Sequence, residues 1–390
     1  MANRRTFLKT GALGAAGTLP LGWTAIAQQA AASRRSAPAI ANGTVKLTGD
    51  GLALSPAEYA QLVVRLVEEK NLAPDSYSIG GMVEELEHAF ARVLKKERAV
   101  FMPTGTLANH LAIRTLAGGG GRVAVQEISH IYQDTGDCVQ TLSGLPMMPL
   151  APGAATFKAD DLQRLIDGTK TGRVATPVAV VSIETPVRRA TGEMFDAAEL
   201  GRVVAVAKSN GARLHLDGAR LFLESAYSGR PVESYAQPFD TVYVSLYKYF
   251  NAPSGAILAG PKALLDTLFH TRRMFGGGLA EAWPFALVAL HYFEGFPRRY
   301  EAAVRASKEF LALLGRESAF RVQPVNNGTN LFRLEVPNLD PKQFQARLAG
   351  DAVVLGTPNA AGRFVVAINE TFTRRPVPDL VAAFVKAAKG

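Results

Sequence analysis

Short apolar, β-branched runs recur along this chain between stretches of helical periodicity, and this alternation limits its fold more than any other feature. The runs are Ala99–Met102, Arg122–Val125, Val178–Ile183, Leu214–Leu216, Thr241–Ser245 and Ala256–Ala259. Strands that alternate with helices predict an α/β architecture with a mostly parallel, doubly wound sheet. Ser55-Pro56-Ala57-Glu58 has the form of a capping box with proline at the first helical position, so a helix is expected from there to about Lys70. A second amphipathic helix is expected over Val83–Lys96, and a third after Pro103-Thr104-Gly105-Thr106 through Leu116. From about Glu294 the pattern changes to a long charged helix followed by runs at Asn330–Val336 and Arg363–Ile368. The 390 residues therefore divide into an expected large α/β domain over 46–294 and a smaller C-terminal α+β domain over 295–390. No internal repeat is visible.

The first 27 residues read as an address. Asn3-Arg4-Arg5-Thr6-Phe7-Leu8-Lys9 fits the twin-arginine export pattern and is followed by a Gly/Ala-rich apolar run and the A-x-A site Ala25-Ile26-Ala27. The run is short for a membrane span and is broken by Pro20, so no stable span is expected after cleavage. A flexible linker over 28–45 follows. The expected partner is the twin-arginine machinery and the expected location the periplasm, a route that carries proteins already folded around a cofactor. Arg4, Arg5 and Lys9 account for three of the nine net positive charges, leaving a mild excess of six. Basic pairs such as Arg188-Arg189 and Arg272-Arg273 are scattered and read mostly as solvated faces, which argues against a nucleic-acid surface. Cys138, the single cysteine, cannot form an internal disulfide, and no metal site is expected.

Open α/β sheets bind ligands beyond the carboxyl ends of their strands, so the residues at those ends carry the functional argument. Thr104-Gly105-Thr106 offers backbone N–H groups at a helix start, which suits a phosphate but also suits plain helix capping. Asp217 ends the run Leu214–Leu216, and Lys248 follows Thr241–Ser245, 31 residues later on the same edge. A structural ion pair would explain two such charges. A phosphate turn, an aspartate and a lysine together match the needs of pyridoxal phosphate: an amine for its aldehyde, a carboxylate for its ring nitrogen and a helix start for its phosphate.

The sequence resembles the threonine aldolase and β-eliminating lyase group of fold-type I pyridoxal-phosphate enzymes. The resemblance rests on Met102-Pro103-Thr104-Gly105-Thr106-Leu107-Ala108-Asn109, His215-Leu216-Asp217-Gly218-Ala219-Arg220-Leu221-Phe222, Ser245-Leu246-Tyr247-Lys248 with Ala252-Pro253-Ser254-Gly255, and Arg272-Arg273-Met274-Phe275-Gly276-Gly277-Gly278. It implies that Gly105 and Thr106 hold the phosphate, His130 stacks on the pyridine ring, Asp217 pairs with its nitrogen and Lys248 forms the Schiff base. Arg220 and Arg363 are implied to grip the carboxylate of an amino-acid substrate through the forked guanidinium geometry. Arg272 or Arg273, together with Tyr77, resembles positions that reach the site from a neighbouring subunit, which implies a homodimer or homotetramer.

The chain departs from the group's pattern at several points. Leu47-Thr48-Gly49-Asp50-Gly51 stands where the group usually carries Arg-Ser-Asp-Thr, Tyr247 replaces a common serine, and Glu184-Thr185-Pro186-Val187 lacks the histidine usually found after that glutamate. A base for a substrate β-hydroxyl must then come from His130, Tyr247 or water. The expected activity is cleavage of β-hydroxy-α-amino acids to glycine and an aldehyde. β-Elimination, racemisation and transamination are alternatives on the same machinery, and a non-catalytic binding protein is the rival from another class.

Overall fold

The computed structural model describes residues 43–389 apart from Asn71. The export motif and most of the linker expected over 28–45 fall outside the described residues. Twelve strands are defined: β1 Val45–Lys46, β2 Arg98–Met102, β3 Arg122–Gln126, β4 Met147–Leu150, β5 Val178–Glu184, β6 Arg213–Asp217, β7 Thr241–Ser245, β8 Ala256–Gly260, β9 Arg321–Pro324, β10 Leu331–Glu335, β11 Val353–Val354 and β12 Phe364–Ala367. Seven of them form one sheet in the order β2-β8-β7-β6-β5-β3-β4, parallel except for β8, which runs antiparallel to both its neighbours. β5, β6 and β7 are buried almost throughout, the burial expected of parallel strands covered by helices on both faces. The expected strands are present with ends shifted by a residue or so. β4 escaped the sequence pattern because Pro149 interrupts it, and it sits at the sheet edge where a missing donor is tolerated.

Helix Pro56–Glu69 starts at Ser55 with both halves of the capping box formed. Helix Gly105–Ala117 packs against the middle of the sheet and buries Ala108, Leu111, Ala112 and Ile113. Behind the site, Phe90, Phe222, Tyr249, Phe250, Phe293 and Phe296 pack in the main core in edge-to-face and tilted pairs.

A second core gathers around the antiparallel sheet β12-β10-β9 and includes Phe310, Phe344, Phe364 and Phe384. Val45 and Leu47 belong to this second core, because β1 pairs in parallel with β11 and Ala367 donates its N–H to the Leu47 carbonyl at 3.0 Å. The first described residues thus lie in the packing of the C-terminal region, ahead of the large sheet. Helix Phe296–Leu314 joins the two cores, burying Phe296, Tyr300 and Val304 in one and Ala303, Phe310 and Leu314 in the other. No described helix is long and apolar enough to cross a membrane.

Candidate active site

A cavity of about 1040 Å³ opens at the carboxyl ends of the parallel strands, and its wall includes Gly105, Thr106, His130, Asp217, Arg220 and Lys248. Asp217, the last residue of β6, is 2% exposed. One of its oxygens accepts from Asn109 Nδ2 at 2.5 Å and the other from the Ala219 N–H at 3.1 Å. A carboxylate can only accept here, so Asn109 turns its amide NH₂ to Asp217 and its oxygen to His215 Nε2, 2.9 Å away. His215 Nε2 must then carry the proton, and Nδ1 accepts from the Thr241 hydroxyl at 2.8 Å. Burial lowers the His215 pKa to about 4, which keeps the ring neutral and preserves this direction of donation. Asn109 and His215, which orient Asp217, are not singled out by the sequence pattern. Both lie inside the quoted motifs, and His215, two residues before Asp217 on a strand, shares its face.

At the start of helix Gly105–Ala117, Thr104 accepts from the Leu107 N–H at 3.2 Å through its hydroxyl and from the Ala108 N–H at 3.1 Å through its carbonyl. The Gly105 and Thr106 N–H groups have no acceptor among the described residues, the arrangement a helix start presents to a phosphate. A Cβ on Gly105 would lie 2.0 Å from the Tyr243 hydroxyl oxygen, so only glycine fits between that ring and the cavity.

Lys248 follows β7, with Nζ 4.8 Å from the Tyr247 ring centroid and 6.0 Å from that of Tyr243. Its turn is clasped by the N-terminal segment: the Leu52 N–H donates to Asn251 Oδ1 at 2.7 Å, and a Cβ on Gly51 would stand 2.2 Å from the Lys248 carbonyl oxygen. Next to Gly51, Asp50 accepts from Arg220 Nε at 2.8 Å and from Asn330 Nδ2 at 3.1 Å. The terminal nitrogens of Arg220 have no hydrogen-bond partner among the described residues, so its fork is oriented from behind and free in front. Neither Asp50 nor Asn330 could be found from sequence. They approach Arg220 from 170 and 110 positions away.

His130 opens the short helix His130–Gln133, and its backbone N–H donates to Glu184 Oε2 at 2.6 Å. Glu184 ends β5 in register with Asp217, and its other oxygen accepts from the Arg188 N–H at 2.9 Å. Burial, and then the Asp217 charge, raise the Glu184 pKa to about 7. Burial also lowers the His130 pKa against the opposing pull of Asp217, leaving an imidazole that is neutral at neutral pH and able to accept a proton.

Two expected site residues lie elsewhere. Arg363 does not line the cavity. It precedes β12, where Phe364 and Val366 turn into the second core, so Arg363 shares the outward face with Val365 and lies 3.9 Å from Glu335. Arg273 is exposed, with its guanidinium 4.6 Å from the Tyr77 ring centroid, outside the cavity of its own chain. Arg272 is buried, and its terminal nitrogens donate to the Phe101 and Tyr77 carbonyls at 2.5 and 3.2 Å, a structural role.

A seven-stranded sheet with one reversed strand, a helix start with free N–H groups, a strand-tip aspartate and a lysine after the next strand define the fold of the fold-type I pyridoxal-phosphate enzymes. The family described as Beta-eliminating lyase matches residues 67–346, and the chain belongs to that family. It is 30% identical to the low specificity L-threonine aldolase of Saccharomyces cerevisiae over 210 residues, which is 53% of each chain. That match spans about half of the yeast enzyme. The chain is 25% identical to a probable low-specificity L-threonine aldolase of Arabidopsis thaliana over 307 residues, 77% of this chain and 86% of the other. A crystal structure of a putative L-allo-threonine aldolase from Listeria monocytogenes superposes with a TM-score of 0.73 at 26% identity, covering 90% of this chain and 97% of that one.

Proposed function

We propose that the protein is a pyridoxal-phosphate-dependent lyase that cleaves the Cα–Cβ bond of β-hydroxy-α-amino acids, releasing glycine and an aldehyde. The observation that carries this reading is the convergence of Lys248, Asp217 and the free N–H groups of Gly105 and Thr106 on one cavity, each from the end of a different strand. When bound, pyridoxal phosphate supplies an electrophilic carbonyl and an electron-withdrawing ring that takes up the electron pair of a bond broken at Cα. The chain's residues do the rest. Gly105 and Thr106 would receive the phosphate, Lys248 provides the amine of attachment, and Asp217, steadied by Asn109, would face the ring nitrogen.

Arg220, oriented by Asp50, presents its free fork to the substrate carboxylate and so fixes which bond at Cα stands across the ring plane. Neutral His130 would lie on the ring face and accept the β-hydroxyl proton as the aldehyde carbonyl forms; Cα takes up a proton to complete glycine. The histidine missing after Glu184 is thus replaced from the other side of the same carboxylate, since Glu184 holds the His130 backbone. A homo-oligomer, with Arg273 and Tyr77 presented to a neighbouring copy, and export to the periplasm by the twin-arginine route belong to the same reading. The first rests on the exposure of both residues, the second on Asn3–Lys9 and the A-x-A site.

The test is a screen of amino acids with separate assays for aldehyde, α-keto acid, ammonia and racemised product. Threonine-like or phenylserine-like substrates should yield aldehyde. Borohydride should fix the cofactor to the wild-type chain and not to Lys248→Ala. Racemate or keto acid without aldehyde would overturn the aldolase reading, and a fixed adduct in Lys248→Ala would overturn the assignment of the lysine.

A further inference from the structure

Arg188, half of a basic pair that reads from sequence as solvated, lines the same cavity as Arg220. Its backbone is fixed by the Glu184 carboxylate, which accepts its N–H at 2.9 Å, and one guanidinium nitrogen donates to Asp134. Asp134 has a second and fuller partner: Arg189 grips both of its oxygens, with Nε at 3.1 Å and Nη2 at 2.6 Å. Two guanidinium groups thus share one carboxylate, and the fork geometry assigns that carboxylate chiefly to Arg189. The other acids nearby are engaged elsewhere. Glu184 is turned onto the His130 and Arg188 N–H groups, and Glu127 accepts from Gln133 and the Gly153 N–H. Arg188 therefore stands at the cavity wall sharing one carboxylate with Arg189, so the three groups carry a net positive charge, and its Nε and second terminal nitrogen have no hydrogen-bond partner among the described residues. Its charge is felt at His130, where it helps to disfavour protonation of the ring.

We propose that Arg188 is a specificity-determining residue that binds a carboxylate on the substrate's β-carbon, making β-hydroxyaspartate-type amino acids the preferred class. This rests on the aldolase reading, in which the α-carboxylate lies on Arg220 and the β-hydroxyl on His130. With Lys248 given to the cofactor and Arg220 to the α-carboxylate, Arg188 is the remaining cation lining the cavity, and its charge is felt at His130, so a β-substituent beside His130 would have Arg188 to meet. Cleavage of such a substrate breaks the Cα–Cβ bond, moves the β-hydroxyl proton to the base, turns the β-carbon into the aldehyde of glyoxylate and adds a proton at Cα to give glycine.

The experiment uses the holoenzyme in wild-type, Arg188→Gln and Arg188→Lys forms. It measures kcat/KM for β-hydroxyaspartate and for threonine, and the affinity for L-aspartate and L-alanine by calorimetry. The wild type should prefer the dicarboxylate. Arg188→Gln should lower the hydroxyaspartate-to-threonine ratio at least about tenfold, mainly through KM, and weaken aspartate relative to alanine by a similar factor. Arg188→Lys should keep part of the preference, since a point charge remains without the fork. A ratio that Arg188→Gln leaves unchanged, or a wild type that cleaves threonine and takes hydroxyaspartate no better, would overturn the proposal and leave the aldolase reading standing. If neither substrate yields aldehyde the aldolase reading falls, and the aspartate-against-alanine comparison still decides whether Arg188 binds a second carboxylate.

Discussion

At the deep end of the cavity, Asp217, Asn109, His215 and Thr241 form a buried chain in which the direction of each hydrogen bond is assigned. At the mouth, Asp134, Arg188 and Arg189 are held by charge, with both arginine side chains more than 40% exposed. The deep chain leaves one arrangement open to it, because reversing any hydrogen bond would strand a buried polar group at a cost of about 1–3 kcal/mol. The mouth is cheap to rearrange, since screened surface pairs contribute about 0–1 kcal/mol each. Chemistry common to many substrates belongs at the rigid end, and discrimination among substrates at the adaptable one.

The largest break in this comparison is expected from Asp217→Asn. The amide keeps the shape but removes the negative charge that would face the ring nitrogen, and its own NH₂ would meet that of Asn109. Steady-state assays should show kcat falling by about a hundred- to a thousandfold. A loss below tenfold would mean that the deep end does not carry the reaction.

A smaller effect should separate the two ends by their response to acid. His215 has a folded pKa of about 4 against an ordinary value near 6.5, so between those values the unfolded chain binds a proton that the native ring refuses. Stability is thus lost as pH falls through that window, by up to a few kcal/mol. Urea unfolding at pH 7 and at pH 4.5 should show the wild type losing more stability than His215→Gln, whereas Arg188→Gln should follow the wild type. Equal losses in wild type and His215→Gln would show that the buried ring titrates freely.

The smallest effect belongs to Arg363→Ala. Its side chain lies outside the cavity beside Glu335, and kcat/KM should change by less than about twofold. A tenfold loss would place Arg363 at the substrate after all and sharpen the account of how the carboxylate is held.

Much of this site is legible without coordinates because its parts are local. The candidate phosphate turn is a run of three residues, Thr104 to Thr106, and a helix start exposes its N–H groups wherever it occurs. Asp217 and Lys248 each end or follow an apolar run, and in a parallel sheet all such tips share one edge. Arg363 misleads for the same reason: it precedes a strand, as a ligand might, but the alternation of Phe364 and Val366 toward the core turns it outward. Glycine at 105 is demanded by Tyr243, 138 residues away, and no local pattern reports that contact.

The amino-acid sequence by itself determined the α/β class, the carboxyl edge of the sheet as the place for chemistry, and the anion turn, aspartate and lysine found there, because periodicity and strand ends are properties of neighbouring residues. Only the tertiary structure decided which groups orient them: Asn109 and His215 behind Asp217, Asp50 and Asn330 behind Arg220, Glu184 beneath His130, and the division of Asp134 between Arg188 and Arg189. These partners come from distant parts of the chain, and their pairing follows from the packing of the sheet, the helices and the N-terminal segment rather than from any spacing along the sequence.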